Sequence, residues 1–186
     1  MITATERLGY PADARLLILN GDDIGMCHDT NVGTLAGLRD GLLTSASLMA
    51  PCPWALEAAE LFAGLDVGVH LTITAEWRTY RWGPLTAECR QPASGLVDST
   101  GSFWANDESV ARNGSPAAAR VEVYRQIEWA LDRGLGITKL DGHMGTFYDH
   151  PEYLRIYLDA ARDFRLPLRL PPLTEYLSRG GAAYEP

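Results

Sequence analysis

Apolar and polar positions along this chain switch between two periods. Residues 15–20 (RLLILN) form a continuous apolar run closed by Gly21-Asp22-Asp23, the pattern of a strand buried on both faces. Residues 30–39 then place Val32, Leu35, Ala36 and Leu38 at helical spacing, and Gly41 is a plausible stop. A second strand is predicted over 43–49 (LTSASLM). A second helix enters at Pro53, shows Trp54, Leu56, Ala58, Leu61 and Phe62 on one face, and ends at Gly64. Residues 67–72 (VGVHLT) read as strand three. Periodicity is lost over 75–115, a stretch rich in Trp, Gly, Pro and polar residues and too long for an ordinary connection, so it reads as a functional excursion. It returns as a helix over 116–133 closed by Gly134, a strand over 137–140 leading into Asp141-Gly142-His143, a helix over 151–164 and a fifth strand over 166–170 before Pro171-Pro172.

Strands alternating with helices at this spacing imply right-handed βαβ units, hence an α/β fold built on a parallel sheet or barrel. Five strands are too few to close a barrel. No repeat or linker divides the chain, so residues 1–186 are expected to form a single domain.

Composition narrows the function. The chain has 46% hydrophobic and 22% charged residues, which excludes disorder. Its 16 basic against 24 acidic residues give a formal charge of −8, so nucleic acid and anionic membrane surfaces are not expected partners. Lys139 is the single lysine, and neither a P-loop nor a Schiff-base motif surrounds it. Cys27, Cys52 and Cys89 are odd in number and widely spaced, which argues against a disulfide framework and fits a reducing cytoplasm. The N-terminal residues lack the apolar core of a secretion signal, and no apolar run approaches the roughly 18 residues a membrane span needs. Asn113-Gly114-Ser115 matches a glycosylation sequon, which in a cytoplasmic protein is a chance match.

In parallel α/β folds ligands bind at the carboxyl ends of the strands. Asp22 and Asp23 follow strand one, His70 lies near the end of strand three, and Asp141 and His143 follow strand four. One Asp and two His suit a catalytic divalent ion with open positions for water and substrate. Neighbouring carboxylates at a strand end can divide the work, one holding the ion and the other taking a proton from water whose pKa the ion has lowered. Each residue has a plainer role open to it: the Asp pair as helix cap and turn former, His70 as a satisfied core histidine, His143 as a loop residue. Their coincidence on one rim favours the site, whereas His28 and His150 read as surface or capping residues. Within the excursion, Trp77, Tyr80 and Trp82, with Arg78, Arg81, Phe103 and Trp104, suit either a stacking wall for sugar rings or a satellite core under a long loop.

These residues, in this order, resemble the YdjC or ChbG/HpnK-like family of carbohydrate deacetylases. The resemblance rests on Asn20-Gly21-Asp22-Asp23-Ile24-Gly25, Thr44-Ser45-Ala46-Ser47-Leu48-Met49, Gly68-Val69-His70-Leu71-Thr72 and Leu140-Asp141-Gly142-His143. It implies a distorted TIM-like barrel of about seven βα units, incomplete here at its C-terminal end, and metal-dependent removal of acetyl groups from N-acetylated mono- or oligosaccharides. Carried over by position, it makes Asp23, His70 and His143 the ligands of one divalent ion, Mg2+ or Zn2+, and Asp22 the general base. Asp141 stands behind them, and Trp77, Tyr80 and Trp82 become candidate substrate contacts.

The chain departs from the family pattern in two ways. Met144-Gly145-Thr146 stands where many members carry further histidines, and members run some tens of residues longer, through a histidine taken as the general acid. An open barrel would expose apolar edges, so a homo-oligomer, or a longer chain that closes the barrel, is expected. A different class of function is a non-catalytic metal- and sugar-binding module of the same fold. A receiver domain is disfavoured, because strand three ends in His70-Leu71-Thr72 and Lys139 lies inside strand four.

Overall fold

Four strands, β1 (Asn20–Ile24), β2 (Ser45–Leu48), β3 (Val67–Leu71) and β4 (Ile137–Gly142), form one sheet in the computed structural model, which describes residues 2–171. All three pairings are parallel and the spatial order is β1-β2-β3-β4. Each strand thus lies beside the next in sequence, the arrangement of one arc of a βα barrel and not of a doubly wound sheet, whose order reverses at a switch point.

Among the described residues six α-helices accompany the strands. After a short α1 (Ala4–Arg7), α2 (His28–Arg39) joins β1 to β2 and α3 (Ala55–Leu61) joins β2 to β3. The β3 to β4 connection runs through the excursion, α4 (Asp107–Asn113) and α5 (Pro116–Leu131), and α6 (Pro151–Phe164) follows β4. Helix α5 begins as its sequence indicates: Ser115 accepts from the Ala118 amide, and Pro116 occupies the first turn, where no amide donor is needed. Among the described residues no helix is long and apolar enough to cross a membrane. Cys27, Cys52 and Cys89 are all free.

Every residue of β2 and β3 is buried, as expected for parallel strands covered on both faces. Two polar residues of α5 bind the loops to this core. Gln126 gives its amide to the Thr72 carbonyl at 2.7 Å and accepts the Thr72 amide at 2.9 Å, continuing the edge of β3 beyond its last residue. Buried Glu122 accepts the amides of Leu85 and Thr86 at 2.9 and 3.1 Å, which pins the excursion against the helix.

Three boundaries differ from the sequence pattern. Strand one begins at Asn20, so the Asp pair lies within β1, whereas Leu16, Leu17 and Ile18 are exposed. An apolar run reads as a buried strand only where a layer covers it, and none of the described residues covers this one. The expected fifth strand is reduced to a single parallel bridge between Leu140 and Leu168. Helix α4, inside the aperiodic stretch, is capped by Asn106, which accepts from the Ser109 amide at 2.9 Å.

Candidate metal centre

The site grows out of an irregularity in β1. Pairing with β2 shifts register between Gly21 and Ile24, and Asp23 adopts φ 67°, a left-handed conformation that Asp tolerates better than most residues. The usual alternation of side chains is broken there, so Asp22 and Asp23 both line one cavity of about 690 Å3. Gly25 completes the turn at φ 90°, its amide held by the Asn31 side chain at 2.6 Å and its carbonyl by the Trp54 amide at 3.0 Å. An added Cβ at Gly25 would meet the Ala55 Cα and the Met49 carbonyl at 3.1 Å.

From β3 and the end of β4 come His70 and His143, both buried. His70 Nε2 lies 3.2 Å from Asp23 Oδ1, His143 Nδ1 lies 3.3 Å from the same oxygen, and the two nitrogens are 3.2 Å apart. Three donor atoms thus form a near-equilateral triangle facing the cavity. Donors bound to one ion at about 2.0–2.1 Å sit about 3.0 Å apart in octahedral and about 3.4 Å apart in tetrahedral arrangement. The observed spacing falls between these values. Asp23 Oδ1 is buried without a hydrogen-bond partner, a cost that a cation would remove. The cluster therefore fits a divalent ion.

Each imidazole is backed by a carboxylate, as in metal sites where a second group fixes the ring. His70 Nδ1 faces Asp141 Oδ1 at 3.2 Å, and His143 Nε2 donates to Glu76 Oε2 at 3.1 Å. Asp141 accepts in turn from Ser47 Oγ at 3.0 Å. These neighbours set the charge balance. Burial would lower the pKa of His70, but Asp141 and Asp23 outweigh it and raise it to about 9. Burial is likewise outweighed at His143, raised by Asp23 and Glu76, and at Asp23, which the two imidazoles hold well below the usual carboxylate range. At Asp141 burial acts upward, yet His70 and Arg169 hold the carboxyl at about 2. The site is thus built to attract positive charge at its centre.

All five acidic and imidazole residues singled out from the sequence converge here. The aromatic candidates divide: Trp77 is half exposed; Tyr80 is partly buried, its hydroxyl donating to the Met26 carbonyl; and Trp82 is buried. The Trp82 indole donates to the Thr74 carbonyl at 2.8 Å and its ring meets His143 edge-on at 6.3 Å. Burial corrects the expectation for Trp82, which backs a candidate ligand and offers no open face to a sugar. His28 opens α2 at the surface, paired with Glu57 at 2.8 Å, and His150 precedes α6 at its N-cap.

Three participants were missed from sequence: Glu76, Asn20 and Arg169. Asn20 donates to Asp22 Oδ1 at 2.5 Å and to Ser47 Oγ at 3.0 Å. Arg169 Nη1 lies 2.8 and 2.9 Å from the two oxygens of Asp22 and 3.0 Å from Asp141 Oδ2. Glu76 stands six residues beyond His70, where the apolar period has already broken, and Arg169 comes from the far end of the chain.

Comparison with known proteins agrees with this geometry. A carbohydrate deacetylase of Thermus thermophilus is 34% identical over 172 residues, covering 92% of this chain and 59% of that protein. One from Thermoanaerobacter pseudethanolicus is 30% identical, covering 86% and 61%. The crystal structure of a protein described as a cellobiose-phosphate cleavage protein of Enterococcus faecalis superposes with a TM-score of 0.74 at 27% identity, over 87% of this chain and 62% of that one. The chain thus spans about three-fifths of the length of the relatives it matches. Residues 16–184 match the model of the YdjC-like proteins, and the chain belongs to that family.

Proposed function

We propose that this chain carries the catalytic half-site of a metal-dependent carbohydrate deacetylase, with Asp23, His70 and His143 as ligands of one divalent ion and Asp22 as general base. The observation that carries the reading is the triangle of donor atoms at 3.2–3.3 Å with the Asp22 carboxylate beside it in the same cavity. Relatives that share most of this chain are named carbohydrate deacetylases. Two imidazoles and one carboxylate suit zinc, and an open carboxylate-rich cavity equally accepts magnesium.

A bound divalent ion supplies Lewis-acid polarisation of the acetyl carbonyl and stabilises the negative charge that develops on its oxygen. Asp22 takes a proton from the attacking water, whose oxygen bonds to the acetyl carbon. The carbon–nitrogen bond then breaks as the nitrogen takes up the proton that Asp22 removed from the water, and acetate and the amino sugar leave. Asp141 and Glu76 keep the imidazoles oriented throughout, because each ring offers its other nitrogen to a fixed carboxylate. Half-exposed Trp77, next to Glu76, and Tyr80 provide aromatic surface for a sugar ring at the rim.

The test is acetate release from N-acetylglucosamine oligomers by the chain supplied with Mg2+ or Zn2+, with loss of activity on chelation and recovery on metal addition. Metal and sugar binding without acetate release would support the non-catalytic binding module instead.

A further inference from the structure

We propose that Arg169 is the positioning residue for Asp22: it clamps the carboxylate beside the ion site and keeps it from becoming a ligand itself. The proposal rests on the deacetylase reading for its catalytic consequence, but its geometric content stands apart.

Asp22 is 37% exposed in its side chain and lies next to Asp23, so nothing in its own packing prevents it from turning toward a cation. Two groups hold it. Asn20 reaches one oxygen from within β1, and Arg169 Nη1 spans both oxygens at 2.8 and 2.9 Å. The same nitrogen lies 3.0 Å from Asp141 Oδ2, whose other oxygen faces His70. One guanidinium nitrogen therefore couples the candidate base to the carboxylate that orients a candidate ligand. Charge-assisted bonds of this kind are among the stronger and more directional that side chains form.

Arg169 is itself well anchored. Its amide donates to the Leu140 carbonyl at 3.0 Å, and its carbonyl accepts the hydroxyls of Tyr148 and Tyr157, each at 3.0 Å. Tyr157 is fully buried and also donates to the Leu140 carbonyl at 3.0 Å. The clamp is thus bolted to β4, the strand that leads into His143. Arg169 also places a positive charge among Asp22, Asp23 and Asp141, which offsets their repulsion.

The rival role is direct contact with substrate, since the Arg169 side chain is 52% exposed and lines the cavity. Kinetics separate the two. For a clamp, Arg169→Ala lowers kcat by roughly 10²-fold or more, within the range of a general base, with KM changed less than about threefold. Arg169→Lys, which keeps the charge but reaches fewer oxygens, falls between it and the wild type. Asp22→Asn/Arg169→Ala is slower than Asp22→Asn by far less than the Arg169→Ala effect in the wild type, because the clamp acts chiefly through Asp22. A raised KM with kcat retained, or a double variant slower by the product of the two effects, overturns the proposal.

A cobalt arm applies whether or not the wild type releases acetate. Stoichiometric Co2+ binding is expected in wild type and Arg169→Ala, with the visible absorption altered in Arg169→Ala as freed Asp22 approaches the ion. Asp22→Asn/Arg169→Ala should restore the wild-type band. Circular dichroism confirms folding, and Arg169→Lys takes the place of the alanine variant should that one not fold. An unchanged cobalt spectrum on loss of the guanidinium refutes the clamp. Failure of the wild type to deacetylate, with the spectral change present, refutes only the deacetylase reading.

Discussion

At the scale of single residues the site is a problem in charge placement. Two buried imidazoles and one carboxylate oxygen converge at 3.2–3.3 Å in a spacing that fits a cation, so loss of either imidazole should be severe for metal binding. His70→Ala or His143→Ala is expected to abolish stoichiometric metal binding, read by metal analysis after dialysis; full occupancy in both would move the centre elsewhere. Asp22→Asn keeps shape but cannot accept a proton, so metal should be retained while turnover falls by roughly 10²- to 10⁴-fold in an acetate-release assay. Glu76→Gln leaves His143 Nε2 without an ionised partner and should weaken metal affinity by about 10- to 100-fold by calorimetry, with an unchanged affinity counting against its orienting role. The candidate ligands were legible in the sequence because each lies at or just beyond the carboxyl end of a strand pattern, which fixes its place on the rim. Glu76 and Arg169 were not. Their contacts are with residues distant in sequence, His143 and Asp22, and no local period marks them.

At the scale of elements, boundaries carried more information than the elements themselves. The helix over 151–164 is found as expected, because Pro151 and the apolar face mark its start and extent. Strand one is displaced, and the displacement shapes the cavity: with the register shift at Gly21–Ile24 and the left-handed Asp23, both acidic residues line it. A run such as 15–20 matches a buried strand in sequence, but which residues pair depends on Thr44 and Ser45 across the sheet, whose amides both reach the Leu19 carbonyl. The turn after β1 depends on Gly25, at φ 90° with backbone of two other segments at 3.1 Å from any added Cβ. Gly25→Ala should therefore cost about 1–3 kcal/mol in urea denaturation for the conformation alone, and should weaken metal binding as Asp23 is displaced. A variant as stable as the wild type with unchanged metal affinity would show that the turn does not set the position of Asp23.

At the scale of the whole molecule, sequential strand order sets the candidate metal cluster at the carboxyl ends of a parallel arc of strands, where βα folds bind ligands. Among the described residues the two flanks of the sheet do not pair as strands, and the contact of Asp22 with Arg169 bridges them at the rim. Leu16, Leu17 and Ile18 beside β1 are 47%, 73% and 71% exposed, and Leu170 on the opposite flank is 45% exposed. Between the flanks lies a cavity of about 610 Å3, lined by Leu17, Ile18, Pro167 and Leu168 with Ser45 and Asp66 at its polar end. The sequence signalled the parallel α/β class, because the alternation of strand and helix periods is readable; it could not say where the apolar flank would lie, since exposure is a property of neighbours. Apolar side chains that the described residues leave open at a sheet edge favour association. The 186-residue chain should therefore sediment as a dimer or larger species at micromolar concentration. Leu17→Lys with Ile18→Glu should return it to monomer while leaving metal stoichiometry intact, because neither residue lines the metal cavity. A wild-type chain that sediments as a stable monomer across that range would show that this flank needs no partner, and that an arc of four strands with its helices is sufficient to hold the centre.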